Sequence, residues 1–342
     1  GIVHQRERWA RARALRADDA GGQPEDRSPP PPIRRHVVVS APGRRYPGDP
    51  KITDLLIAAH AAAAVSLERF DAAFAPIAER FSEIQGGGKG RSPALLSALD
   101  VTASSIYDKT SSVAHATSCG EFLSALVMSE MLPDNYSFVD ASELVLFDPH
   151  THNLDFEQTM KAMRRRFVRD AKPDEGFVVP GFYGSEVGNR AATVTFSRGG
   201  SDVTASLVAA ALAGDAHKRP RRDHERRHHH ADNCGDGNGD GDQGDFVFYH
   251  ENFTDVDGIY TCDPFVAPAA ERIPKLTFPQ VEAMSRAGSR VLHPFAIEPL
   301  KRAPCVVPLH VRSTFRVAAN GDEGTLDRNT VGRSGQNGLH GE

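Results

Sequence analysis

Three β-branched residues in a row, Val37-Val38-Val39, stop at Ser40-Ala41-Pro42-Gly43 and give way to helical periodicity from Ile52 to Ile84. A short apolar run closed by turn residues is read as a buried strand followed by a loop. The same change of period recurs along the chain. Helical stretches are expected near Leu95–Ile106, Ser118–Leu132, Met160–Val168, Val203–Ala213 and Pro279–Gly288. Strands are expected at Tyr136–Val139, Gly176–Val179, Ala192–Phe196, Phe246–Phe253 and Val306–Val311. Strands alternating with helices imply an α/β fold, a three-layer α/β/α sandwich with a mostly parallel central sheet. Pro76 is expected to break or kink the long stretch between Ile52 and Ile84 into two helices, because proline removes a helix hydrogen bond and clashes with the preceding turn.

Composition narrows the class. The 342 residues carry 40 Lys and Arg against 45 Asp and Glu, a net charge of −5. That balance argues against nucleic acid as a partner, since such domains are usually strongly basic. No run of eighteen apolar residues occurs, so no membrane span is expected. The mean hydropathy of −0.40 implies that part of the chain is unpacked. Two segments fit: a proline-containing arm at 1–35, and an insert at 217–245 that is first His- and Arg-rich and then almost wholly Gly, Asp and Asn. The segment 317–342 is expected to be a disordered tail, which leaves 36–316 as the folded domain. The chain starts with Gly rather than Met and is expected to be a piece of a longer product. Cys119, Cys234, Cys262 and Cys305 are far apart with no C-x-x-C pair, which suits a reducing compartment. In the insert, Asp236, Asn238 and Asp240 imitate half of a calcium loop, but Val247 stands where the bidentate Glu belongs. No metal site is assigned there.

The most informative stretch is Thr193-Val194-Thr195-Phe196-Ser197-Arg198-Gly199-Gly200-Ser201-Asp202. A strand entering two glycines and then a helix aims backbone N–H groups and the helix dipole at an anion. Arg198 adds a planar fork suited to a carboxylate or phosphate, and Asp202 is placed to orient a reacting group. An ordinary turn with Ser201 as helix N-cap is the alternative. Ser40 and Thr53 bracket a polar loop just after the first strand, where α/β folds usually bind ligands. Glu121 lies three residues after Ser118, the spacing of a capping box. Thr254, Asp255 and Tyr260 surround another strand-end turn.

Together these blocks resemble the catalytic domain of the aspartate kinases, within the amino-acid-kinase family. The matching runs are Val37–Gly43, Lys51–Leu56, Gly120–Ser124, Pro180–Gly184, Ser197–Asp202, Thr254–Pro264, Gly288–Pro294 and Val311–Phe315. The resemblance implies transfer of the ATP γ-phosphoryl group to the side-chain carboxylate of L-aspartate, the first step toward lysine, threonine and methionine. It makes Asp202 and Arg198 catalytic. Substrate would be held by Ser40, Thr53, Glu121, Arg198 and Ser201, and the nucleotide by Thr254, Asp255, Tyr260 and Arg290. ATP and Mg2+ would be required, a homodimer is a candidate assembly, and the compartment would be a soluble intracellular one, cytoplasm or plastid stroma. A non-catalytic relative that binds ligand or a full-length partner is the alternative reading. The family's opening K-F-G-G loop has no counterpart in 1–35, which contains no Lys, and the stretch after Phe315 is expected to be too short for the family's paired ACT domains.

The K-F-G-G lysine would stabilise the transferring phosphoryl group, so the chain as written is expected to turn over weakly. Losing one charge-stabilising donor costs about 10²–10³ in rate. A coupled ADP-release assay with aspartate and Mg-ATP checks this, and turnover of about 1–100 s⁻¹ would show that another cation does the work.

Overall fold

Strand β4 (Gly176–Pro180) is buried at all five positions and holds a parallel neighbour on each side. The computed structural model describes residues 36–86, 92–108, 110–172, 175–197, 199–216, 250–254, 256, 258–262, 266–267, 269–287, 292–304, 307–314 and 325–327. Strand β1 (His36–Val39) pairs with β4 in the register Val38 to Val179, and β2 (Tyr136–Phe138) pairs in the register Ser137 to Phe177. Successive side chains on a strand point to opposite faces. Phe177 and Val179 therefore enter one core, and Val178 enters the other.

The Val178 core is helical. It is built from α1 (Ile52–Ala63), α2 (Leu67–Gln85), α3 (Pro93–Tyr107) and α4 (Val113–Met131). Ile52 and Leu56, Phe70 and Phe74, and Leu95 and Leu99 supply apolar pairs four residues apart, the spacing that puts both side chains on one helix face. The other core collects α5 (Phe156–Arg164), α6 (Gly200–Ala216), α7 (Phe278–Arg286) and α8 (Pro294–Lys301), contributing Met160, Leu207, Val281 and Ile297. Helices thus cover both faces of the strand layer, as the α/β expectation required.

Among the described residues, hydrogen bonding divides the strands into four groups. Besides β1-β4-β2 there is β3-β5-β6, where β3 is Leu146–Phe147, β5 is Tyr183–Glu186 and β6 is Asn189–Thr195. A second pairing of long range joins β7 (His250–Thr254) parallel to β11 (Leu309–Ser313). The strands β8 (Ile259–Tyr260) and β9 (Arg272–Ile273) form a two-stranded ribbon. Finally, β12 (Thr325–Asp327) sits between β10 (Lys275–Leu276) and β11.

Several local expectations need correction. Pro76 does not divide the stretch: α2 is continuous through it, and the division into two helices falls at 64–66, where the Ser66 hydroxyl accepts the Arg69 N–H at 3.2 Å. The cap stops one helix and starts the next, whereas Pro76 forfeits only its own bond to the preceding turn. Ser118 and Glu121 form no capping box. The helix already starts at Val113, capped by the Ser112 hydroxyl on the His115 N–H at 3.0 Å, and Ser118 lies in its interior. Ser201 is not an N-cap either, since α6 begins at Gly200. The basic stretch near 160–168 starts earlier as α5 and ends in a π-helical turn, Arg165–Arg169. Thr325–Asp327, inside the expected tail, pairs as a strand. The arm at 1–35 and the insert at 217–245 lie outside the described residues, as does the start of the strand expected from Phe246. Cys119 is buried and Cys262 exposed, both free. Among the described residues no helix is long and apolar enough to cross a membrane.

Because Phe177 is fully buried on the central strand, Phe177→Ala is expected to destabilise the protein by about 3–5 kcal/mol. Chemical denaturation of both forms measures this, and a loss below about 1 kcal/mol would mean the site collapses around the smaller side chain.

Candidate active site

Three close backbone approaches assemble the site at the carboxyl ends of β1 and β4. The Gly181 N–H donates to the Val39 carbonyl at 2.9 Å, so the two strand ends leave the sheet together. A Cβ on Gly181 would stand 2.6 Å from Ser201 Cα, which means only glycine lets α6 start this close to the strand. On the other side, a Cβ on Gly120 would lie 2.9 Å from Ala41 Cβ and 3.1 Å from Ile52 Cγ2. Helix α4 therefore touches the loop that follows β1 and the first turn of α1 at once.

These contacts bring Ser40, Thr53, Glu121 and Ser201 into one neighbourhood. Ser40 is exposed; Thr53, Ser201 and Asp202 are half-buried. Asp202 accepts a hydrogen bond from Asn252 Nδ2 at 3.4 Å, which links the first turn of α6 to β7. Thr254 ends that strand, and its carbonyl accepts from both the backbone N–H and the hydroxyl of Thr314. Tyr260 follows on β8, half-buried. Gly199 has φ +63, and a Cβ there would meet His293 Cβ at 2.4 Å, so the segment leading into α8 closes over the glycine turn. Arg198, Asp255 and Arg290 lie outside the described residues.

Glu121 is the group whose setting the sequence hid. Its side chain is 5 % exposed inside α4, and the backbone N–H of Ala41 donates to its carboxyl. Oε2 is buried with no hydrogen-bond partner among the described residues, and the same holds for Ser124 Oγ one turn further on. Burial pushes the Glu121 carboxyl up to about 8, against the smaller opposing pull of the Ala41 N–H. A carboxyl like this is neutral when alone and anionic when a cation arrives.

Other buried polar groups support the site from behind. Tyr183 donates to Asp140 Oδ1 at 2.9 Å, and burial raises its phenol further. His115, half-buried, contacts Ser105 Oγ at 3.0 Å and Thr193 Oγ1 at 3.3 Å, and burial lowers its pKa. His250, buried beside Ser206, is pushed down to about 4 and stays neutral. Cys119 is pushed up to about 12, so its thiol is inert. Sequence reasoning singled out none of the pairs Tyr183–Asp140, His115–Thr193 or Arg80–Asp49, because each joins residues far apart in the chain. Among the described residues no three His, Cys, Asp or Glu side chains cluster to hold a metal ion.

Comparison with known proteins relates the chain to the aspartokinases. A family described as "Amino acid kinase family" matches residues 250–313. Aspartokinase 3 of Bacillus subtilis is 28% identical over 301 residues, covering 85% of this chain and 57% of that protein. Lysine-sensitive aspartokinase 3 of Escherichia coli is 35% identical over 149 residues, 43% of this chain and 25% of that protein. The crystal structure of Clostridium acetobutylicum aspartate kinase superposes with a TM-score of 0.67 at 28% identity, covering 88% of this chain and 57% of that one. E. coli aspartokinase III in complex with aspartate and ADP superposes with a TM-score of 0.62 at 25% identity, covering 94% and 61%. The match covers 57% of the B. subtilis and Clostridium proteins and 61% of E. coli aspartokinase III, so the chain spans less than two thirds of their length.

The raised carboxyl has a consequence for pH. Glu121 ordinarily titrates at 4.5 but at about 8 in the folded chain. Between those values the folded state holds a proton that the unfolded state has lost, so stability falls as pH rises across that window. Glu121→Gln removes this dependence. Thermal midpoints of the ligand-free proteins are expected to diverge in favour of the variant from pH 5 to 8. Parallel pH profiles would show that Glu121 is already ionised in the empty site.

Proposed function

We infer that this chain, a relative of the aspartokinases with the amino-acid-kinase fold, phosphorylates the side-chain carboxylate of L-aspartate with ATP. The observation that carries the reading is the buried carboxyl of Glu121 with an unpartnered oxygen, held at the loop after β1, while the adjoining end of β4 abuts the N-terminus of α6. A helix N-terminus favours an anion and a buried carboxyl favours a cation. Both poles in one neighbourhood suit a zwitterion, an α-amino acid. The complex of E. coli aspartokinase III with aspartate and ADP supports the choice of amino acid and of nucleotide.

On this reading Glu121 takes the ammonium group and Arg198 the α-carboxylate, while Ser40, Thr53 and Ser201 add hydroxyl contacts. The nucleophile is the aspartate side-chain oxygen, already ionised near neutral pH because carboxylates titrate near 4. No general base is needed for the attack. An oxygen–phosphorus bond forms to the γ-phosphorus as the bond to the β-phosphate oxygen breaks, giving aspartyl 4-phosphate and ADP. Catalysis then consists of positioning and charge neutralisation. Asp202, anchored by Asn252, orients the centre. Thr254, Asp255 and Tyr260 line the nucleotide site, and Arg290 contacts phosphate. Mg2+, supplied with the nucleotide, would offset the charge of the phosphates. The product enters the route to lysine, threonine and methionine.

The protonation state of Glu121 makes the reading measurable without turnover. Aspartate binding at pH 7 is expected to release close to one proton per site as the carboxyl ionises against the ammonium. Calorimetric titration in buffers of different ionisation enthalpy reads this directly. Glu121→Gln should abolish the release and weaken binding by about 1.5–3 kcal/mol, the worth of a hydrogen bond to a charged group. Aspartate binding with unchanged proton release in the variant would move the ammonium site elsewhere. Failure of the parent to bind aspartate would remove the substrate assignment.

A further inference from the structure

The loop between β1 and α1 is held from below by a guanidinium that plays no part in the proposed chemistry. Arg80 sits in the middle of α2 and is only 1 % exposed. Its NH2 donates to Asp49 Oδ1 at 2.9 Å and its NH1 to the Gly43 carbonyl at 3.3 Å. Both nitrogens also approach the Pro50 carbonyl, at 3.5 and 3.4 Å. Asp49, equally buried, also accepts from the backbone N–H and the guanidinium of Arg45, whose NH1 reaches Glu83 at 3.2 Å. One side chain thus grips both ends of the segment 43–50.

The ends of that segment lead straight to substrate groups. Two residues before Gly43 is Ala41, whose N–H meets Glu121, and Ser40 precedes it. Three residues after Pro50 is Thr53 on the first turn of α1. Burying an ion pair is weak support for stability, because desolvation offsets most of the attraction and apolar replacements are often as stable. The fork of Arg80 instead supplies geometry: donors in one plane that reach a carboxylate and two carbonyls together, which a lysine cannot reproduce.

We propose that Arg80 is a positioning residue for the substrate, acting through Gly43, Asp49 and Pro50 to hold Ser40, Ala41 and Thr53 in place opposite Glu121. The proposal rests on the aspartate reading above. It assigns Arg80 to the amino-acid half of the site and not to the nucleotide half, whose proposed residues Thr254 and Tyr260 lie on β7 and β8.

Two variants separate positioning from stability. Arg80→Lys keeps the charge but loses the fork. The double variant Arg80→Met with Asp49→Leu removes both buried charges, and its thermal midpoint is expected near that of the parent. Calorimetric titration with aspartate and, separately, with Mg-ATP is expected to show aspartate affinity reduced about tenfold to a hundredfold in both variants. Mg-ATP affinity should stay within about twofold, since the nucleotide groups lie on other elements. Tryptic cleavage after Arg44 and Arg45, mapped by fragment mass, should quicken in both variants as the loop loosens. Parent-like aspartate affinity in the double variant, or equal weakening toward both ligands, overturns the proposal while leaving the aspartate reading intact. A parent chain that binds no aspartate overturns both.

Discussion

Burial of strand β4 on both faces is the constraint from which the rest of the architecture follows. Its five residues have no exposed position, so each face must be covered by its own layer of helices. The alternation of Phe177, Val178 and Val179 sends neighbouring side chains into different cores, so a one-residue slip would exchange the two sets. Parallel pairing on both edges fixes the direction of β1 and β2 as well, and their carboxyl ends emerge beside the end of β4. That common edge is where α/β folds collect ligand groups. The position of the candidate site is thus a consequence of how the central strand is covered.

What gives that edge its chemistry is close approach at glycines. Gly181 lets the start of α6 lie against the end of β4, and Gly120 lets α4 lie against the loop after β1. The first contact supplies a helix N-terminus and the second supplies a carboxyl out of water. Neither alone selects an amino acid. On the proposed reading they form one anionic and one cationic subsite, and the asymmetry between them would orient a zwitterion. Thr254 and Tyr260, proposed for the nucleotide, lie on β7 and β8, and β7 is tied to the same helix end through Asn252 and Asp202.

The sequence misled where a local pattern had two explanations. Ser118 and Glu121 have capping-box spacing, but a better cap at Ser112 had already started the helix, which turned Glu121 from a surface cap into an interior carboxyl. Pro76 looked like a breaker because its cost is large in an isolated helix. Packing of Phe70, Phe74, Ile77 and Phe81 into one core keeps α2 continuous through it. Arg80 carried no signal at all: a lone arginine in an amphipathic helix is ordinarily a solvated residue, and its partners lie some thirty positions earlier in the chain.

The sequence by itself determined the alternation of the longer strands and helices, the strand–glycine–glycine–helix turn before Asp202, and the resemblance to aspartate kinases carried by blocks from Val37 to Phe315, but not the short strands or the helix Pro294–Lys301. Those features are local, and hydrophobic period and turn chemistry record them directly. Only the tertiary structure decided that Glu121 is buried with a carboxyl pushed up to about 8, and that Arg80 reaches across to Asp49, Gly43 and Pro50. Burial and long-range proximity come from how the layers pack, and a carboxylate or guanidinium acquires its function from the water it loses and the partners it meets.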